Sequence, residues 1–142
     1  MEFLNPPDEV IRRILSTPTT IAVVGCSKDP SRDSLKIAKL LKSKGFRVIP
    51  VNPQLDPDDL IAELGERCYP DLDSVPGKVD IVDVFRRSEY LPEIAEQAAR
   101  KGARVLWGQL GVVNVEAARR ASEAGMTVVM DRCPAIEYRR LF

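Results

Sequence analysis

The chain has 142 residues, 44% of them hydrophobic and 30% charged, with 21 Lys and Arg balanced by 21 Asp and Glu. That length holds one core and excludes two domains of ordinary size, and the balanced charge excludes a general field drawing nucleic acid or a membrane surface. No apolar run approaches the roughly 20 residues that span a bilayer, and Met1-Glu2-Phe3-Leu4-Asn5-Pro6-Pro7 lacks the regions of a secretion signal.

Residues 1–18 read as a lead-in, with Pro6-Pro7-Asp8 opening a short amphipathic helix through Val10, Ile11, Ile14 and Leu15. A first buried strand begins near Thr20 and runs through Ile21-Ala22-Val23-Val24 to Gly25. After a polar turn, Leu35, Ile37, Ala38, Leu40 and Leu41 recur at helical spacing, giving a helix from about Ser34 to Lys44 that stops at Gly45. Arg47-Val48-Ile49-Pro50-Val51 is a second buried strand, broken by Asn52-Pro53. Asp56-Pro57-Asp58-Asp59 is expected to cap a short helix through Leu60, Ile61 and Leu64, ended by Gly65. Cys68-Tyr69-Pro70 is expected as a very short edge strand, and Asp71 to Gly77 as a turn.

Val79 to Phe85 reads as a central strand, in which Asp80 sits at the entry and the interior Asp83 needs hydrogen-bond partners. A turn at Arg86-Arg87-Ser88-Glu89 leads to a helix from about Glu89 to Lys101, stopped by Gly102. Arg104 to Trp107 is another strand, with Gly108-Gln109-Leu110-Gly111 as its turn. Asn114 or a neighbour caps a helix through Ala117, Ala118, Ala121 and Ala124 to Gly125, and Met126 to Met130 is the final strand. Residues 132–142 read as a tail whose charged side chains form salt bridges. Strands alternating with helices predict a single α/β domain over 1–142. It is a Rossmann-like, doubly wound parallel sheet of about five strands in order 3-2-1-4-5, helices on both faces.

In such a sheet a ligand lies across the carboxyl ends of the strands, beside the first strand. The turn after Gly25 departs from the dinucleotide fingerprint G-x-G-x-x-G, because Ser27 and Pro30 stand where the later glycines belong. One glycine, several hydroxyls including Ser27 and Ser34, and the cations Lys28 and Arg32 suit a phosphate at a helix N-terminus. An ordinary polar β-to-α turn is the plainer reading of the same residues.

At the end of the second strand a NAD enzyme would place an acid, whereas this chain has Asn52 followed by Pro53, a neutral pair compatible with a 3′-phosphorylated ribose. Arg86 and Arg87 add further cations at the central strand's end. Phe85, Trp107 and Pro53 are candidates to flank an adenine, and Trp107 is equally suited to a packed strand end. Cys26 sits at a helix N-terminus and is either a small turn-filling residue or a reactive thiol.

Cys26, Cys68 and Cys133 are an odd, widely spaced set with no C-x-x-C pair, which argues against a disulfide framework or zinc site and for a reducing, cytoplasmic setting. The chain has no histidine, which removes Ser-His-Asp and Cys-His catalysis and the commonest metal ligand. No metal and no catalytic constellation are expected.

Taken together, the stretches Ile21 to Ser27, Val48 to Pro53, Val79 to Arg87, Trp107 to Gly111 and Val129 to Cys133 give the chain a close resemblance to the small stand-alone CoA-binding proteins. These are similar to the nucleotide-binding domain that opens the α subunit of succinyl-CoA synthetase. The resemblance runs from about Thr19 to Arg140 and implies a Rossmann-like fold holding coenzyme A by its 3′-phospho-ADP end. By matching position, Gly25, Cys26, Ser27, Lys28 and Ser34 would line the phosphate turn. Asn52 and Pro53 would lie beside the adenosine, and Val84, Phe85 and Arg86 would close the opposite side. Many relatives have alanine at Cys26, and the synthetase's phosphorylated histidine and second ligase domain have no counterpart here. The expectation is a non-catalytic protein binding CoA or acyl-CoA. The rival readings are an NAD(P)-dependent reductase or Cys26 redox switch, and an interaction domain whose crevice stays empty.

Overall fold

The structure, a computed structural model, describes residues 3–57 and 59–142. Met1 and Glu2 of the lead-in and Asp58 of the expected cap lie outside the described residues. The elements follow in order: α1 (Asp8–Ser16), β1 (Thr20–Val24), α2 (Asp33–Ser43), β2 (Arg47–Val51), β3 (Leu60–Ile61), β4 (Glu66–Arg67) and β5 (Ile81–Val84). A 3₁₀ turn at Ser88–Tyr90 precedes α3 (Leu91–Arg100), then come β6 (Val105–Gly108), α4 (Val115–Glu123), β7 (Thr127–Val129) and α5 (Pro134–Leu141).

Five strands form one parallel sheet in the order β2-β1-β5-β6-β7. Side chains alternate across it, so each strand serves two cores. Ala22, Val24, Val82, Val84, Leu106 and Val128 meet the stripes Leu91-Ile94-Ala95-Ala98 of α3 and Ala117-Ala118-Ala121 of α4. Ile21, Val23, Ile81, Val105, Trp107 and Val129 meet Ile11 and Leu15 of α1, Leu35-Ala38-Leu41 of α2 and Leu141 of α5. Each fully buried aliphatic side chain contributes about 1.5–3 kcal/mol, and this two-sided burial is why the strands read as continuous apolar runs. The doubly wound α/β architecture is therefore the one expected.

The strand order is corrected. Numbering the five sheet strands along the chain gives 2-1-3-4-5 instead of 3-2-1-4-5, because Cys68-Tyr69-Pro70 does not form an outer strand. Tyr69 makes an isolated parallel bridge to Val51, with its N–H on the Pro50 carbonyl at 3.1 Å and its own carbonyl taking the Asn52 N–H at 2.8 Å. A residue's N–H and C=O point to the same side of its strand, so Pro50 faces this outer edge and has no donor to extend the ladder.

The helix expected through Leu60, Ile61 and Leu64 is instead a small antiparallel hairpin, pairing Leu60 with Arg67 and Ile61 with Glu66. Leu60 is 64% exposed beside a fully buried Ile61, an alternation that belongs to a strand. The hairpin is tied down by Lys42 Nζ on the Leu64 carbonyl at 2.9 Å and by the Arg47–Glu66 ion pair at 2.7 Å. Residues 132–142 also do more than expected of a tail. Pro134 opens α5, whose Arg140 reaches Asp8 of α1 at 2.7 Å and whose buried Glu137 pairs with Arg132 and Arg140.

Candidate functional site at the carboxyl edge of the sheet

β1 ends at Gly25, whose φ of +90° allows a turn that an L side chain adopts only with strain. The turn is clamped between both neighbouring strands: the Gly25 N–H donates to the Val51 carbonyl at 2.7 Å, and the Phe85 N–H donates to the Val24 carbonyl at 2.8 Å. A Cβ on Gly25 would stand 2.6 Å from the Phe85 carbonyl oxygen, so glycine is required here by contact as well as by conformation.

The loop into α2 is braced by its own polar groups. Ser34 Oγ accepts the Ser27 N–H at 2.9 Å, Ser27 Oγ accepts the Asp29 N–H at 3.0 Å, and Asp29 accepts the Ser31 N–H at 2.9 Å. Asn52 crosses from β2 to the turn, donating through Nδ2 to the Cys26 carbonyl at 3.1 Å and accepting the Gln54 N–H at 2.9 Å. The N–H groups of the first turn of α2 have no helical acceptors and point outward over this edge.

Gly25, Ser27, Arg32, Ser34, Asn52 and Phe85 line one open cleft of about 590 Å³, together with Ser31, Asp33, Gln54 and Leu55. A cleft of about 330 Å³ adjoins it through Gly25, Asn52 and Phe85 and adds Arg86, Arg87 and Tyr90. A third, of about 380 Å³, continues past Pro53, Arg86 and Tyr90 towards α3. Sequence reasoning passed over Tyr90, whose ring lies 4.6 Å from the Arg86 guanidinium and positions it over the edge. An aromatic four residues after an arginine was the available signal. A separate cavity of about 430 Å³ at the opposite edge, beside Arg13, Thr19 and Arg104, contains none of these groups.

Four expected site residues stand apart from the clefts. Lys28 is engaged by Asp59 at 3.1 Å, an exposed pair on the loop's outer side. Val84 is fully buried in the core facing α3 and α4. Trp107 is 1% exposed on the other face, with its indole N–H on the Arg132 carbonyl at 2.8 Å, so the structure places it in the packed strand end. Cys26 is fully buried beneath the turn, and burial pushes its thiol up to about 12, leaving a neutral S–H where a redox switch needs a thiolate. Cys68 is likewise buried and raised.

Below the edge, Asp83 is fully buried on β5 and accepts from Gln109 Nε2 at 3.3 Å to each oxygen. Desolvation pushes its carboxyl up to about 7, against the opposing hydrogen bond from Gln109. Asp80, by contrast, sits at the strand entry and accepts the Thr20 N–H at 3.1 Å.

Among the described residues no helix is long and apolar enough to cross a membrane, and no group of three His, Cys, Asp or Glu side chains is placed to hold a metal ion. The chain is 43% identical over 129 residues to the "Uncharacterized protein YneT" of Bacillus subtilis, covering 91% of this chain and 92% of that one. A "hypothetical protein from Pyrococcus horikoshii OT3" has the same fold at a TM-score of 0.87 and 40% identity, over 99% of both chains. The chain is also 34% identical over 92 residues to an ADP-forming acetate–CoA ligase II of Archaeoglobus fulgidus, spanning 63% of this chain but only 13% of the ligase. The family profile described as "CoA binding domain" matches residues 19–139, and with it the strands and turns that build the carboxyl edge: the chain belongs to that family.

Proposed function

We propose that this chain binds coenzyme A or an acyl-CoA at the carboxyl edge, holding the 3′-phospho-ADP end without catalysing a reaction on it. The observation that carries the reading is the meeting of the Gly25 turn, Asn52, Phe85 and Arg86 around adjoining clefts, in a chain of the CoA-binding family. The first-turn N–H groups of α2 and the Ser27 hydroxyl face phosphate, and Arg32 and Arg86 supply charge. Lys28 joins them once it leaves Asp59, a step that costs little because the pair is exposed. Asn52 and Pro53 lie beside the adenosine, where a neutral side chain does not repel a 3′-phosphate. Cys26, Val84 and Trp107 form the packed floor that fixes the edge, acting through shape and not through contact.

Ligase activity is no part of this proposal, because the matched segment is a small part of the ligase and the chain has no histidine to carry a phosphoryl group. The redox alternative has a neutral, buried Cys26 against it, and the nicotinamide alternative lacks an acid at position 52. Calorimetric titration with CoA, acetyl-CoA, dephospho-CoA, NAD and ATP tests the proposal. CoA and acetyl-CoA are expected to bind at least tenfold more tightly than dephospho-CoA or NAD, the equivalent of about 1.4 kcal/mol for one charge-assisted phosphate contact. Equal affinity for CoA and dephospho-CoA overturns the assignment of the 3′-phosphate.

A further inference from the structure

Asp83 places a carboxyl group where a parallel sheet ordinarily carries an aliphatic side chain. It lies in register between Val23 of β1 and Trp107 of β6, with no exposed surface. Gln109 is its one hydrogen-bond partner among the described residues, a single amide nitrogen serving two oxygens that together offer about four acceptor sites. Among the described residues no Lys or Arg pairs with it. On the face of the sheet shared with Val23 and Trp107, the buried side chains are the neutral Cys26 of the β1–α2 turn, Leu35 and Ala38 of α2, Ile11 of α1 and Val129 of β7. From α5, the buried Glu137 is committed to Arg132 and Arg140. Burial raises the proton affinity of the carboxyl and outweighs the opposing hydrogen bond from Gln109.

This under-satisfied group is connected to the carboxyl edge. Gln109 opens the β6–α4 loop, its N–H on the Val84 carbonyl at 3.2 Å and its carbonyl taking the Val112 N–H at 2.8 Å. Asp83 itself is two residues below Phe85, which lines the cleft. Arg32 and Arg86 line the clefts whether or not they are filled, so a phosphate ligand seated there adds negative charge above the buried carboxyl. Like charges in a low-dielectric interior raise each other's cost, so the occupied cleft favours the protonated carboxyl.

We propose that seating an anionic phosphate ligand in the edge cleft is coupled to uptake of one proton from solvent by the Asp83–Gln109 pair, so that acidification tightens binding. The proton adds to one Asp83 oxygen, and the Gln109 amide turns so that its Oε1 accepts the new O–H while the other carboxyl oxygen keeps an N–H. No bond other than O–H forms. By linkage, the factor by which ligand raises proton affinity equals the factor by which the proton raises ligand affinity. The inference deepens the proposed function and rests on it for the ligand's charge.

The test is calorimetric titration of CoA at pH 6 and pH 8, in buffers of different ionisation enthalpy, for the whole chain and for Asp83→Asn. This is combined with a ¹³C NMR titration of the Asp83 carboxyl with and without CoA. Asn keeps the shape and the amide contact but cannot ionise. The expected result at pH 8 is a larger proton uptake in the wild type than in Asp83→Asn, with binding about tenfold tighter in the variant. At pH 6 the two converge. The ligand's own phosphate ionisation is common to both proteins and cancels in the comparison. Equal proton counts overturn the coupling alone, and so does an Asp83 carboxyl that titrates in the ordinary range or does not respond to CoA. The NMR titration needs no variant, so it decides the matter even if Asp83→Asn does not fold. Absence of CoA binding at either pH overturns the coupling and the functional reading together.

Discussion

Replacing Gly25 by alanine separates two demands that the edge makes on one residue. The first is conformational: at φ +90° an L side chain costs about 1–2 kcal/mol. The second is contact, because the new Cβ would stand 2.6 Å from the Phe85 carbonyl oxygen and 3.2 Å from Arg86 Cδ. The Phe85 backbone is held by its bond to Val24, so it gives way only by breaking the β1–β5 ladder at its last rung. Overpacking of this kind costs about 1–3 kcal/mol, and the lower entropy of the unfolded alanine chain returns about 0.4–1 kcal/mol. Gly25→Ala is therefore expected to lose about 1–5 kcal/mol.

Two controls isolate the parts. Gly102 has φ +72° with nothing within 4 Å of a built Cβ, so Gly102→Ala carries the conformational cost alone, about 1 kcal/mol or less after the entropy offset. Gly108 has no positive φ, but its Cβ would meet the Val112 carbonyl oxygen at 2.6 Å, so Gly108→Ala carries the contact alone, about 1–2 kcal/mol. Urea denaturation of the three variants reads these values, and CoA titration is expected to lose binding in Gly25→Ala alone of Gly25→Ala and Gly102→Ala. A Gly25→Ala variant no less stable than Gly102→Ala would refute the claim that the turn is locked onto Phe85.

Asp83 makes stability pH-dependent in a definite direction. Folding raises its pKa from 3.8 to about 7, so the unfolded chain ionises first, and stability falls as pH climbs between those values and is flat above. At about 1.4 kcal/mol per unit the loss is at most about 4 kcal/mol, and urea denaturation of Asp83→Asn should lack it. Glu137 works in the opposite sense: hydrogen bonds from Arg140 and Arg132 lower its pKa, so its contribution is present at neutral pH and lost as acid protonates it. Glu137→Gln should cost about 1–2 kcal/mol at pH 7, a difference that closes below the folded pKa. Asn52→Asp removes the donor to the Cys26 carbonyl and adds charge to the cleft, so calorimetry should show at least a tenfold loss of CoA affinity with no gain for NAD. Cys26, neutral and buried, should resist iodoacetamide at pH 8 in the folded protein and react once urea unfolds it; rapid labelling of the native thiol would refute its assignment as a packed floor residue.

The periodicity of the chain by itself determined the alternation of buried strands and amphipathic helices, the position of the Gly25 turn, and the cap at Asn114, whose Oδ1 takes the Ala117 N–H at 3.0 Å. These are local matters: a two-sided strand reads as an apolar run, and a helix stop requires a residue that tolerates its backbone. Tertiary structure decided what depends on neighbours distant in sequence. Leu60 and Ile61 fit a helix until Arg67 and Glu66 pair with them, and Tyr69 would be a strand but for the proline it meets on β2. Trp107 and Cys26 lie at strand ends, where sequence leaves open whether a side chain faces solvent, ligand or core; the covering α2 and α5 turn both inward. The pairing of Asp83 with Gln109 joins residues 26 apart, and only the parallel register of β5 and β6 brings that amide over that carboxyl. Hydrophobic pattern is written residue by residue, whereas the environment of a polar group is set by whatever the folded chain packs around it.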